Sequence, residues 1–251
     1  MNLFLKNTVA LVTGGARGLG RAICRALAEE GAHVAINAVR SDPEELVAQL
    51  QSQFGIEAIA VRGDVSRTGE VHAVFDRVEE ELGPLDILVN NAGTWPRAFV
   101  KDMTDDEWSE TLAVNLTGSF NTCREAVRRW LAAGRKGRIV NITSQAAYAG
   151  ATTGHAHYAA AKAGLANFTV SLAREMAPHG IRVNAVAPGF METDMAAEAL
   201  RQDRERILSR IPLGRVATPA EVAAAVVFLA SERASYITGA TLDVNGGMLM
   251  R

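Results

Sequence analysis

Short apolar runs punctuate the chain at 8–13, 33–37, 58–62, 87–90, 138–143, 182–187 and 241–244. Between them lie longer stretches with apolar residues at helical spacing, near 19–30, 43–54, 68–82, 105–132, 157–178, 195–210 and 219–230. Most of the runs do not alternate polar with apolar, so both of their faces are expected to be buried. That is the mark of a parallel sheet covered by helices on both sides. Strand–helix alternation gives βαβ units with right-handed crossovers. Helix starts support the register. Ser41-Asp42-Pro43-Glu44 reads as a cap followed by a first-turn proline. Thr104 ahead of Asp105, Asp106 and Glu107, and Thr218-Pro219-Ala220-Glu221, have the form of capping boxes. The expectation is a single α/β domain over 1–251: a seven-stranded, doubly wound parallel sheet that binds ligands at the carboxyl ends of its strands.

Composition narrows the function classes. The chain has 251 residues, 48% hydrophobic, and a formal charge of −2. Without a basic field, neither nucleic acid nor an anionic membrane is an expected partner. Cys24 and Cys123 are far apart in apolar settings and read as buried thiols of a reducing compartment. No apolar run approaches the roughly 18 residues of a membrane span. A cytoplasmic protein is expected.

Two features carry chemistry. Thr13-Gly14-Gly15-Ala16-Arg17-Gly18-Leu19-Gly20 joins the first run to the first helix, where glycines let the backbone approach a pyrophosphate at a helix N-terminus. Tyr158 and Lys162 lie four apart on one helical face. A fixed cation beside a phenol lowers its pKa and suits it to general acid or base work. Ser144, at the end of the fifth run, supplies a second hydroxyl at the same sheet edge. His155 and His157 precede Tyr158 without a carboxylate or cysteine at ligand spacing, so no metal site is assigned.

With the glycine turn, Asn90-Asn91-Ala92-Gly93 after the fourth run, Asn115, Ser144, Tyr158, Lys162, Pro188-Gly189 and Thr193, the chain resembles the short-chain dehydrogenase/reductase family. The likeness is greatest to its 3-oxoacyl-[acyl-carrier-protein] reductase-like branch, through 184–195 and 234–247. The resemblance implies a Rossmann-type fold and a carbonyl–alcohol oxidoreductase. In it Tyr158 delivers a proton, Ser144 orients the carbonyl oxygen, Lys162 holds the nicotinamide ribose, and Asn115 holds a water that links the lysine to solvent. It also implies a cofactor cradle of Gly14, Arg17, Gly18, Leu19, Gly20, Asp64, Val65, Asn90, Asn91, Ala92, Gly93, Pro188, Gly189 and Thr193, and a homotetramer formed by helices 105–132 and 157–178.

Ala38 stands where an acidic residue would meet the adenine ribose, with Arg40 just beyond and Arg17 in the glycine turn. Two guanidinium groups without a competing carboxylate suit a 2′-phosphate. NADP(H) is therefore favoured, with NAD(H) open. Substrate choice falls to the loops after Gly93, Ser144 and Gly189. An acyl thioester is the expected substrate, and a polyol, sugar or other secondary alcohol is the alternative. Arg135, Lys136 and Arg174 are candidate cations for an acidic carrier protein. A non-catalytic nucleotide-binding sensor or scaffold would predict a damaged tetrad, and this one is intact.

Overall fold

A computed structural model describes residues 2–151 and 153–251. Seven strands run parallel in the order β3-β2-β1-β4-β5-β6-β7. They are β1 Val9–Val12, β2 His33–Ala38, β3 Ala58–Arg62, β4 Ile87–Asn90, β5 Arg138–Ile142, β6 Arg182–Pro188 and β7 Thr241–Val244. Alternate strand residues point to opposite faces. Ala10, Val12, Ile36 and Val89 pack with helices α1 (Gly18–Glu29), α2 (Glu44–Phe54) and α9 (Pro219–Ala230). Val9, Leu11, Leu88 and Ile139 pack on the other side with α3 (Thr68–Leu82), α5 (Gly118–Ala132) and α7 (Ala156–Met176). Both faces are therefore dry, as the unbroken apolar runs require. The two capping boxes form: Thr104 accepts from the Glu107 N–H and Thr218 from the Glu221 N–H.

Three features differ from expectation. The stretch 105–132 is not one α-helix but α4 (Asp105–Leu112), a π turn (Ala113–Thr117) and α5. A short helix, α6 (Ala146–Ala149), follows Ser144. The helix α8 (Asp194–Leu208) kinks at Asp203 and covers its own small core of Ala196, Leu200, Ile207 and Ile211. No helix among the described residues is long and apolar enough to cross a membrane.

Candidate active site

The exits of β1 and β4 are stitched into one floor. The Thr13 hydroxyl accepts the N–H groups of Asn91 and Ala92, each at 3.0 Å. The Asn91 amide donates back to the Thr13 and Gly14 carbonyls, each at 3.0 Å. A Cβ on Gly20 would stand 2.1 Å from the Gly14 carbonyl oxygen, so only glycine lets α1 begin this close to the turn. Arg17, the N-cap residue of α1, makes no side-chain cap bond. The first-turn N–H groups therefore face the turn without a side-chain acceptor, a cradle that fits an anionic pyrophosphate. Leu19 is buried in the core and can offer only its backbone. Thr193 sits at the N-cap of α8 without spending its hydroxyl there, and its methyl lies beside Gly18.

Ala38, the last residue of β2, is buried, while Arg40 just beyond it is exposed, as is Arg17. Asp42 accepts from the Glu44 N–H, a helix-start bond. Asp64 accepts from the Ser66 N–H and hydroxyl at 3.0 and 2.7 Å, so its carboxylate is engaged in a turn. Val65 packs against Gly118. The Asn90 side chain points inward: it accepts from the Thr122 hydroxyl at 2.6 Å and donates to Asn141 at 2.9 Å. Only its backbone reaches the sheet edge. Pro188 ends β6 and accepts from the Gln145 N–H, while Gly189 donates to Val244.

Ser144, Tyr158, Lys162 and Asn115 converge on that edge. Ser144 follows β5, with its Oγ accepting from the Ala146 N–H at 3.1 Å. Tyr158 and Lys162 share one face of α7, the ammonium 5.8 Å from the phenol ring centre. Lys162 is buried, and its Nζ donates to the Ile142 carbonyl at 2.8 Å. Asn115 lies in the π turn, where such bulges often mark functional sites. Its amide donates to the Thr94 and Thr111 carbonyls and accepts from the Thr94 N–H. Gly93 passes between Asn115 and Lys162.

Residues 14–249 match the family model described as Enoyl-(Acyl carrier protein) reductase. The chain is 42% identical to the 3-oxoacyl-[acyl-carrier-protein] reductase of Aquifex aeolicus, over 99% of this chain and 100% of that protein. It is 44% identical to the enzyme of that name from Vibrio cholerae, over 98% and 99%. The crystal structure of gox2181 superposes with a TM-score of 0.94 at 38% identity, covering 98% and 97%. A dehydrogenase/reductase from Sinorhizobium meliloti gives 0.91 at 36%, covering 99% and 98%. This chain belongs to the short-chain dehydrogenase/reductase family. It is an oxidoreductase acting on a CH–OH or carbonyl group, with an NAD(P) nucleotide.

In this short-chain dehydrogenase/reductase, burial reverses one expectation. The Tyr158 phenol is pushed up, not down: lost hydration is the largest cause, and the neighbouring Ser144 hydroxyl opposes it. Lost hydration also pulls the Lys162 ammonium down to about 8. Of the two histidines, His155 donates Nδ1–H to the Pro96 carbonyl at 2.7 Å. His157 is buried with neither ring nitrogen paired among the described residues. Sequence reasoning missed the Thr13 hydroxyl, the Thr94 clasp on Asn115, and the buried Asn90–Asn141–Thr169 chain beneath the site. A threonine just before the glycine turn was the only local signal for any of these.

Proposed function

We propose that this chain is an NADP(H)-dependent 3-oxoacyl-[acyl-carrier-protein] reductase-like enzyme, working in the cytoplasm as a homotetramer. Full-length identity of 42–44% to several proteins of that name carries the reading. The residue constellation supports it. The nucleotide would lie across the glycine turn, the 90–93 loop and Thr193, and would supply or accept the hydride. Tyr158, protonated at neutral pH as an ordinary phenol is and pushed further that way by burial, gives its proton to the substrate carbonyl oxygen. Ser144 donates to the same oxygen and fixes it toward Tyr158. Lys162 positions the nicotinamide ribose and places a positive charge behind the phenol. Asn115 holds the π turn and the 94 loop in register with the lysine and connects it to solvent through water.

Arg17 and Arg40 would take the 2′-phosphate, and the buried Ala38 offers no carboxylate to repel it. Asp64, Val65 and the Asn90 backbone would border the adenine and ribose. Arg135 is paired with Asp86 at 2.9 Å, which leaves the exposed Lys136 and Arg174 as the cations for an acidic carrier. The test follows NADPH and NADH absorbance with 3-oxoacyl thioesters, ketones and polyols. Thioester turnover with NADPH is expected. Replacing Arg17 and Arg40 by alanine should raise the NADPH KM far more than the NADH KM. Equal effects would remove the 2′-phosphate assignment, and turnover of polyols alone would remove the thioester one.

A further inference from the structure

The loops that follow β4, β5 and β6 each send one ring into a single cluster. Trp95 follows Gly93, His155 ends the loop after Ser144, and Phe190 follows Gly189. The Trp95 and His155 rings stack with centres 4.2 Å apart and planes 18° from parallel. Phe190 meets Trp95 edge-on, 6.3 Å away at 80°. Stacked and edge-on pairs at these distances are favourable ring geometries.

The cluster is anchored on every side. The Ala98 N–H donates to the Gly154 carbonyl at 2.8 Å, tying the Trp95 loop to the His155 loop. The Ala217 N–H donates to the Phe190 carbonyl at 3.1 Å, and the Phe190 side chain joins the small core under α8. Thr94, next to Trp95, is clasped by Asn115. His155 is the N-cap residue of α7, three positions before Tyr158. The rings thus connect the α8 cover, the 94 loop and the proton donor's helix. Burial holds the His155 imidazole below its usual range, the Pro96 carbonyl opposes that shift, and His157 and Arg97 add to it.

We propose that Trp95 and Phe190, with the buried His155 ring stacked behind Trp95, form one aromatic wall that packs the alkyl tail of a 3-oxoacyl substrate and sets the tail length this enzyme prefers. The assignment rests on the thioester-reductase reading above. Ring faces reward a methylene that leaves water, whereas a polyol hydroxyl placed there would lose its water without gaining a partner.

The experiment measures kcat/KM along a ladder of 3-oxoacyl thioesters of increasing tail length, and along a matching ladder of methyl ketones. The proteins compared are the wild type, Trp95→Ala and Trp95→Phe, with Tm and NADPH KM as checks on folding. In the wild type each added methylene should raise kcat/KM about fourfold until the rings are covered. Trp95→Ala should cut that gain to below about twofold per methylene with the NADPH KM unchanged, and Trp95→Phe should keep an intermediate slope. An unchanged slope in Trp95→Ala while the wild type reduces thioesters would overturn the wall and leave the function standing. No thioester turnover at any length would overturn the function instead, and the methyl-ketone slope would then decide the wall by itself.

Discussion

The Lys162 ammonium is 3% exposed, and its one bond to the Ile142 carbonyl does not replace the water it lost. Its pKa falls from 10.5 to about 8, so the charged form costs the folded state on the order of 3 kcal/mol at pH 7. A base whose folded pKa is depressed destabilises the fold fully below about 8, and this cost disappears as pH rises toward the unfolded value. Lys162→Met should therefore stabilise the protein at pH 7 by roughly 2 kcal/mol, after about 1 kcal/mol is subtracted for the orphaned Ile142 carbonyl. That gain should fade between pH 8 and about 10.5, and activity should be lost throughout. Urea unfolding at pH 7 and pH 10 checks it, and a gain that grows with pH would contradict the burial argument. Tyr158 differs, because burial favours its neutral form and so keeps the proton that reduction needs. Tyr158→Phe should lower kcat by about 10²–10⁴-fold while NADPH binding, read by fluorescence titration, stays unchanged.

At the scale of elements, the π turn and the Gly93 loop form one device. The turn places Asn115 inward, and Gly93 passes so close that an added Cβ would lie 2.9 Å from Asn115 Oδ1 and 3.7 Å from Lys162 Nζ. Gly93→Ala should destabilise the fold by about 1–3 kcal/mol through overpacking, and kcat should fall as the asparagine and lysine are pushed off register. Thermal unfolding and steady-state kinetics read both effects. Wild-type Tm with wild-type kcat would mean that the loop has room to move. Much of this layer was legible in the sequence. The runs at 58–62, 87–90 and 241–244 are β3, β4 and β7 to the residue; the central β4 is buried along its whole length, as an apolar run predicts, while the edge strands β3 and β7 are only partly covered. Thr104 and Thr218 marked their helix starts through bonds only three residues long. The π turn was not legible, since it is tied to a hydrogen bond that the Asn115 amide donates to the Thr94 carbonyl, 21 residues away. The direction of the Tyr158 shift was hidden for the same reason: helical spacing fixes Lys162 beside it, but burial is a property of the assembled fold. The ring cluster of Trp95, His155 and Phe190 likewise appears only when three distant loops meet.

At the scale of the whole molecule, the Arg129 ionic network lies apart from the proposed site. Arg129 binds Asp76 and Glu79 of α3 and Glu125 of its own helix, at 2.6–2.7 Å, and so ties α3 to α5 away from the carboxyl edge. The outer faces of α5 and α7 are less self-sufficient. Phe120, 40% exposed, meets Phe168 edge-on at 5.9 Å beneath the Arg124 guanidinium. The two rings line a shallow groove of about 440 Å³ with Leu116 and Gly164. These are the helices expected to pair in the homotetramer, and they flow directly into Asn115 and Tyr158. An apolar face of this kind, joined without a break to the site, gives assembly a means of firming the catalytic geometry. Phe120→Arg, which sets a charge in the middle of that face, should therefore lower the mass measured by light scattering after gel filtration. It should also reduce kcat more than it reduces NADPH affinity, because the glycine turn and Arg17 and Arg40, which would hold the pyrophosphate and 2′-phosphate, lie on other elements. A variant that keeps both the wild-type mass and kcat would move the contact elsewhere on the surface. A wild type that elutes as a monomer would remove the tetramer, and the catalytic helices would then owe their order to their own packing against Ile139 and Val183 of the sheet.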